Sequence, residues 1–240
     1  MDKFFRFSDY DLFGYLASGI ISLGLCDIVV GTKFVLKDSW SISSAVAVIL
    51  ASYIVGHIIS GLAALLIDRG LVRPLFGTPA NLLMRSEKRN YSWLQRALLG
   101  EFLKPLHPSL RSRVLRRAGI NTAEGEPRDA GEEVFWRAWP IIKREPIPYG
   151  RADSFLKLYG FCRSISLISF VAAVIFAVKA STGWYSFQIS TQQYCLWAIG
   201  AAIVSFVMFR RYLRFFRAYS LEVFSTFAET PCDEGLPDGS

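Results

Sequence analysis

Four long blocks of apolar residues dominate the sequence, and polar segments separate them. The blocks run over Leu12–Gly31, Ile42–Ile67, about 165–182 and about 192–209. A helix of roughly 17–25 residues crosses the hydrocarbon core of a bilayer, and it satisfies its own backbone hydrogen bonds in lipid. The pattern therefore predicts an all-α membrane protein with four transmembrane helices. The first block is longer than the apolar core of a signal peptide, so we expect it to be a retained span.

The distribution of positive charge predicts the orientation of these helices. Of the 27 lysines and arginines, 18 lie in the segment 68–163, two precede the first apolar block, and four follow the fourth block at residues 210–217. Basic residues concentrate on the cytosolic side of a membrane. We therefore expect a multi-pass membrane protein with both termini on the cytosolic side (N-in and C-in). Only short loops, about 32–41 and 183–191, then remain outside.

Few ionisable residues interrupt the apolar blocks. Asp27 lies in the outer part of the first predicted span, and His57 lies in the inner part of the second. Ionisable groups within spans are rare and mark functional positions by default, so both are candidates for lining a pore. Their different depths predict no direct pair between them. An alternative for Asp27 is an ion pair with Lys33 or Lys37 at the outer membrane edge.

Small residues recur at intervals of four in the first two spans. They are Gly14, Ser18, Ser22 and Cys26 in the first, and Ser52, Gly56, Ser60 and Ala64 in the second. Stripes of this kind let membrane helices approach closely. One interpretation is packing of the two spans within the chain. The other is that a stripe faces a pore axis or a neighbouring subunit, which makes Gly14, Ser18 and Ser22 candidate pore-lining residues.

Between the second and third spans lies a basic region that is predicted to be cytosolic and helical. Apolar residues at helical spacing indicate one helix over Tyr91–Phe102. Pro105 and Pro108 then interrupt the chain, and Pro108 is suited to begin a second helix that ends near Ala118. Acidic residues in the first turn favour a third helix over Glu132–Trp139.

Helical stalks are predicted to continue from the third and fourth spans into the cytosol. Asp153 is a suitable N-cap for a helix that begins at Ser154, and an apolar stripe extends the fourth helix to about Phe227. The expected organisation is an N-terminal arm with two spans (1–67), a basic cytosolic helical region (68–163), two further spans (164–209), and a stalk with a disordered acidic tail (210–240).

Clustered arginines are candidates for binding an anionic ligand. They are Arg111, Arg113, Arg116 and Arg117 in the central region, and Arg210, Arg214 and Arg217 after the fourth span. Arginines bind phosphate groups, and Trp93, Trp136 and Trp139 offer aromatic faces on which bases stack. The alternative is that these charges only set the topology or attract anionic lipid headgroups.

The sequence contains none of the motifs that carry common enzyme chemistry or metal binding. It lacks GxSxG, HExxH and a complete phosphate-binding loop. The cysteines, at positions 26, 162, 195 and 232, form no CxxC pair. We therefore expect no catalytic residue, no metal ion and no cofactor, and we expect that the protein is not an enzyme.

The chain resembles the small four-span membrane effectors of bacterial anti-phage defence systems. The resemblance is carried by the opening Asp9-Tyr10-Asp11-Leu12-Phe13-Gly14-Tyr15-Leu16, by the basic central region, and by Arg211-Tyr212-Leu213-Arg214-Phe215-Phe216-Arg217. It is similar first to the channel component of Hailong-type systems and second to the membrane component of Kiwa-type systems. The first resemblance implies a channel that a short single-stranded nucleic acid holds shut until infection removes it. Either implies a homo-oligomer in the bacterial inner membrane, a partner protein encoded nearby, and depolarisation that arrests growth. Among homo-oligomers we favour a tetramer.

Three functional hypotheses follow. The first is an oligomeric channel or pore effector that an anionic ligand, such as a nucleotide or a short oligonucleotide, gates through the basic cytosolic region. The second is a membrane scaffold or sensor that recruits a cytosolic defence partner and does not conduct. The third, a lipid-modifying enzyme, requires titratable groups that converge at one membrane interface.

Overall fold

The structure, a computed structural model, describes residues 14–37, 39–85, 93, 99–100, 102–120, 130–182 and 190–230. These residues form helices and connecting turns, and no strand is present among them. The helices are α1 (Leu16–Val30), α2 (Ile42–Ala63), a π-helical segment (Ala64–Val72), α3 (Arg73–Phe76), α4 (Pro79–Met84), α5 (Pro108–Arg117), α6 (Ala130–Ile142), α7 (Pro146–Thr182) and α8 (Thr191–Glu229). The all-α prediction is confirmed for this part of the chain.

Three helical stretches are long and apolar enough to cross a membrane. They are Ile42–Met84, with 43 residues, α7, with 37 residues, and α8, with 39 residues. Helix α1 is also apolar but has 15 residues in the described part of the chain. At about 1.5 Å per residue, α1 alone is shorter than the hydrocarbon core of about 30 Å. The second, third and fourth predicted spans therefore have the required length. That the first predicted span, which contains α1, also crosses the membrane stays a prediction.

The chain divides into two compact units. Unit 1 comprises Met1–Leu75 and Lys157–Arg214, and unit 2 comprises Phe76–Leu156 and Phe215–Ser240. The helix predicted over residues 91–102 and the predicted acidic tail after Thr230 lie largely or wholly outside the described residues.

In unit 1, α1 and α2 pack backbone against backbone. A side-chain carbon added at Gly19 would overlap the carbonyl oxygen of Ser52, and one added at Gly56 would overlap the carbonyl oxygen of Tyr15. Ser18 and Ser52 are fully buried at the same contact. Three members of the predicted small-residue stripes, Ser18, Ser52 and Gly56, therefore lie at a packing contact within the chain, because only small side chains permit this approach.

Helices α7 and α8 are joined by a reciprocal pair of hydrogen bonds. Ser166 Oγ donates to the carbonyl oxygen of Ser205 at 3.0 Å, and Ser205 Oγ donates to the carbonyl oxygen of Ser166 at 2.9 Å. Both serines are buried. Hydroxyl groups that bond across helices in this way fix the position of one helix along the other.

A lysine closes one end of unit 1. Lys179 Nζ, on α7, donates to the carbonyl oxygen of Val29 at 2.9 Å and lies 6.0 Å from the ring centre of Tyr194 on α8. The last carbonyl groups of a helix lack partners within that helix. Lys179 therefore caps α1 and brings three helices together at this end.

Unit 2 is built around a separate apolar core. Its buried residues come from α4, α5, α6 and the second half of α8, and they include Leu83, Leu115, Val134, Ile142 and Phe224. Burying such side chains supplies about 1.5–3 kcal/mol each. This core orients the helices that carry most of the predicted ligand-binding arginines.

The predicted boundaries of α5 agree closely with the structure. Pro108 is in its first turn, and Gly119 ends it with a φ of 68°. The N–H groups of Gly119 and Ile120 donate to the carbonyl oxygens of Arg116 and Leu115. This is the Schellman arrangement, in which glycine adopts a left-handed conformation that other residues rarely tolerate.

The predicted start of the third long helix is wrong. The sequence favours Asp153 as the cap of a helix beginning at Ser154, whereas α7 begins at Pro146. Proline suits the first turn because its missing N–H has no partner to lose there. The N–H of Tyr149 donates to the carbonyl oxygen of Glu145, which continues the helical pattern from that start.

Candidate functional site

A buried polar cluster joins three helical segments of unit 1. Arg163, on α7, donates through Nη1 to Asp68 Oδ2, and Tyr212, on α8, donates its hydroxyl to Asp68 Oδ1 at 2.6 Å. Arg163 also donates to the hydroxyl of Tyr159 at 3.2 Å and to the carbonyl oxygen of Ser60 at 3.3 Å. Each carboxylate oxygen of Asp68 thus has a donor from a different helix.

This cluster is almost completely withdrawn from solvent. The exposed fraction is 8% for Asp68, 7% for Arg163 and 0% for Tyr212. Taking two charges out of water is costly, and good geometry with additional hydrogen bonds is needed to offset that cost. Burial, followed by the adjacent Asp68 carboxylate, raises the pKa of Tyr212 well above its usual value. Tyr212, which lies beyond the predicted fourth span, therefore stays protonated and donates its hydroxyl to Asp68.

The aspartate of this cluster lies within the π-helical segment. The N–H of Arg73 donates to the carbonyl oxygen of Asp68, five residues earlier, where an α-helix uses the residue four earlier. π-Helical turns are rare and are frequent at functional sites. A segment of nine residues in this conformation marks the end of the second span as a candidate moving part.

Sequence reasoning does not find this cluster. In the sequence, Asp68 is only the first residue after the second span, and Arg163 is only one of many cytosolic positive charges. The two lie 95 residues apart, and no local pattern connects them. They become partners only because the helices that carry them pack side by side.

Asp27 organises the loop that follows α1. Its carboxylate accepts the N–H groups of Phe34 at 2.8 Å and Leu36 at 2.9 Å, and it also accepts the N–H of Val35 and the hydroxyl of Thr32. Asp27 is 3% exposed. Within one chain it therefore holds a loop together, and a role in lining a pore stays a prediction.

His57 has a different environment. It is exposed on the surface of α2, although it lies within the predicted second span. Its ring stacks on Tyr15 with ring centres 3.9 Å apart and meets the ring of Tyr53 edge-on at 4.6 Å. A polar imidazole is thus held by two aromatic rings and faces outward from unit 1.

The remaining pore-lining candidates lie on α1 or just before it. Gly14 and Ser18 are buried, and Ser22 is half-buried. Ser18 Oγ donates to the carbonyl oxygen of Tyr15, and Ser22 Oγ donates to that of Ser18. These hydroxyls bond within their own helix, and their exposure to a pore stays a prediction.

Three of the seven candidate ligand-binding arginines bind backbone carbonyl groups of unit 2. Arg111 Nε donates to Met84 at 2.6 Å, Arg217 Nη2 donates to Lys104 at 3.2 Å, and Arg117 Nη1 donates to Thr230. Met84 ends α4, and Thr230 follows the end of α8. Arg111 and Arg117 therefore cap helices, which is a structural role that charge counting does not reveal.

A second group of basic residues remains on the surface of unit 2. Arg113 and Arg116 are exposed on α5. Arg137, on α6, donates to the carbonyl oxygen of Ala118 at 2.6 Å and so lies at the end of α5. Its neighbour Trp136 is 65% exposed. We call Arg113, Arg116, Trp136 and Arg137 the basic surface.

The other sequence candidates fall elsewhere. Arg210 and Arg214 are exposed on α8 but belong to unit 1. Trp139 is half-buried and stacks on Phe135, so it contributes to the core of unit 2 and not to an open stacking face. Of the seven predicted arginines, Arg113 and Arg116 thus remain exposed together on one helix of unit 2.

Comparisons of the chain with protein-family models, with curated proteins and with solved structures found no match. The resemblance to defence effectors therefore stays a prediction.

Proposed function

We propose that the protein crosses the bacterial inner membrane four times, N-in and C-in, and assembles into a homo-oligomeric channel. An anionic ligand gates this channel from the cytosolic side. In keeping with the resemblance to anti-phage effectors, opening depolarises the membrane and arrests the infected cell. Neither catalysis nor a cofactor has a part in this proposal.

The observation that carries the proposal is the exposure of His57 within a membrane-length helix. Polar and ionisable side chains in membrane spans almost always face a bundle interior or a water-filled cavity, because exposure to lipid is costly. His57 faces outward from unit 1. A water-filled path formed by several copies, or the surface of a neighbouring copy, satisfies this requirement.

The exposure of the apolar helices also supports an oligomer. In the most apolar 18-residue stretch of α8, 6% is buried within the chain, whereas 50% of the corresponding stretch of α7 is buried. Lipid accepts such a surface, and so does a second copy. Because His57 needs a polar environment and α8 is so little covered within its own chain, we propose that copies associate through these helices, with a tetramer favoured.

The basic surface of unit 2 supports the choice of ligand. Exposed guanidinium groups bind phosphates, and an exposed indole ring stacks on a base at a gain of about 1–3 kcal/mol. The combination of Arg113, Arg116 and Trp136 suits a nucleotide or a short single-stranded nucleic acid better than a simple inorganic anion.

Ion flux from sealed vesicles tests the channel directly. We expect the purified full-length protein to dissipate a potassium gradient in proteoliposomes, and oligothymidylate to reduce the rate. His57→Ala changes the flux, whereas Ile58→Ala, at an exposed neighbouring position on α2, leaves it unchanged. Vesicles that stay tight with and without oligothymidylate or ATP contradict the proposal, and native mass spectrometry reports the oligomer.

A second candidate function is a membrane scaffold that recruits a cytosolic defence partner. It is favoured by two large apolar residues exposed on unit 2, Trp136 and Ile147, because exposed aromatic residues are enriched in protein interfaces. A partner encoded nearby that co-purifies with a non-conducting protein, and no longer does so after Trp136→Ala, supports this alternative over the channel.

A further inference from the structure

The π-helical segment Ala64–Val72 has an unusual conformation that requires support from its surroundings. Each π-helical turn holds one residue more than an α-helical turn. Such turns are rare compared with α-helix, so a nine-residue segment persists only where other contacts hold it. Gly70, an exposed residue of this segment, has no side chain with which to contribute to that support.

The contacts that hold the segment come from the buried polar cluster. Asp68 lies near its centre and accepts hydrogen bonds from Arg163 on α7 and Tyr212 on α8. An α-helical turn holds one residue fewer than a π-helical turn. A change to α-helix with α2 fixed therefore shifts the residues of the segment by one position, and Ile67 takes the place where Asp68 now lies. Arg163 then has no counter-charge, which opposes the change.

The present arrangement also carries a cost of its own. Among the described residues, Arg163 Nε is buried without a hydrogen-bond partner. A buried donor without a partner is unfavourable. The segment is therefore held by strong contacts at one aspartate against two opposing costs, the π-helical conformation and the incompletely satisfied arginine.

We propose that Ala64–Val72 is a two-register switch, which changes between π-helix and α-helix and is held in the π-helical state by Asp68. The change turns the helix that follows by about 100° relative to α2. As a gating element the switch rests on the proposed channel, but the register change itself does not.

Distances between spin labels within unit 1 test the register change. Labels are attached at Ile20→Cys on α1 and Leu75→Cys after the π-helical segment, both exposed positions, and the native cysteines are replaced by serine. A turn of about 100° at a helix radius of about 5–6 Å including side chains moves the label site by about 8 Å. Pulsed electron paramagnetic resonance resolves such a shift in the full chain in detergent.

We expect one distance in the parent protein and a second distance in Asp68→Asn. Tyr212→Phe, which removes one hydroxyl and keeps the ion pair, gives the second distance at lower population. The matched control is Arg69→Gln, at the exposed next residue of the same segment, which keeps the single distance.

A single distance in both folded variants overturns the switch. If Asp68→Asn does not fold, Tyr212→Phe decides the question, because it removes only one neutral donor. A second distance in a protein that never conducts upholds the switch and contradicts the channel. Ion flux from proteoliposomes, combined with a single distance in every folded variant, upholds the channel and contradicts the switch.

Discussion

Tyr212 donates its hydroxyl to Asp68 across 144 residues of sequence, at 2.6 Å. Arg163 binds the other oxygen of the same carboxylate. One aspartate therefore connects the end of the second long helix to α7 and α8. The stability of unit 1 depends on this connection. Removal of any one partner leaves the other two without a counter-charge or a hydrogen-bond partner.

Substitution of Asp68 by Asn is expected to destabilise the protein strongly. It leaves Arg163 buried without a counter-charge, and breaking a buried pair from one side costs about 3–5 kcal/mol. Denaturation in detergent, followed by circular dichroism, measures the loss. The triple variant Asp68→Met with Arg163→Met and Tyr212→Phe is expected to recover much of it, because apolar replacement of all the partners leaves no buried charge or donor unmet. A triple variant as unstable as the single one contradicts this explanation.

Substitution of Gly56 by Ala is expected to force α1 away from α2. The added methyl group meets the backbone oxygen of Tyr15, which cannot move aside as a flexible side chain can. Overpacking of this kind costs about 1–3 kcal/mol. Gly61→Ala is the matched control on the same helix, because nothing lies within 4 Å of its added carbon. Equal melting temperatures for the two variants would falsify the backbone contact.

The serine pair between α7 and α8 predicts a measurable loss of stability for each hydroxyl removed. Ser205→Ala removes one donor and leaves the hydrogen bond from Ser166 intact. Hydrogen bonds between membrane helices contribute about 0.6 kcal/mol on average and up to about 1.7, so each single variant is expected to lose that much. The double variant with Ser166→Ala is expected to lose about the sum of the two single losses, because each hydroxyl bonds a backbone carbonyl oxygen that the other substitution leaves in place. Ser181→Ala, at an exposed position, should leave stability unchanged.

Substitution of Asp27 by Asn is expected to loosen the loop after α1. The two carboxylate oxygens accept hydrogen bonds from four donors. In the asparagine side chain, one of these acceptors becomes an NH2 group, which cannot accept them. Hydrogen bonds to a charged group contribute about 1.5–3 kcal/mol each, and these are partly buried. Hydrogen exchange of the amides at Phe34 and Leu36 is expected to accelerate, whereas Lys33→Gln leaves it unchanged. Unchanged exchange in Asp27→Asn rules out this role.

Salt dependence separates ligand binding from topology at the basic surface. We expect Arg113→Ala with Arg116→Ala to weaken oligothymidylate binding and to make the slope of log affinity against log salt shallower. The slope changes by roughly 0.7 for each phosphate group that the variant no longer neutralises. Lys143→Ala with Arg144→Ala removes the same charge from exposed positions outside that surface. Equal slopes for the two double variants show that the arginines act only through general charge.

The local features of this protein could be predicted from its sequence. Apolar block length indicated the long helices α7 and α8, and Pro108 indicated the start of α5. Small residues at intervals of four indicated that α1 and α2 can approach closely, and Gly56 lies at that contact, although Gly19 was not among them. These features depend on neighbours within a few turns of one helix, so their physical causes are visible in the order of the residues.

Tertiary structure alone decided which polar groups meet. Arg111, Arg113 and Arg117 look alike in sequence, yet Arg111 and Arg117 cap helices while Arg113 stays on the surface. The partnership of Asp68 with Arg163, and the π-helical segment that presents it, depends on contacts between helices distant in sequence. Hydrophobic pattern determines which segments become helices, but the pairing of buried charges is determined only when those helices pack, because desolvation makes each charge depend on its neighbours in space.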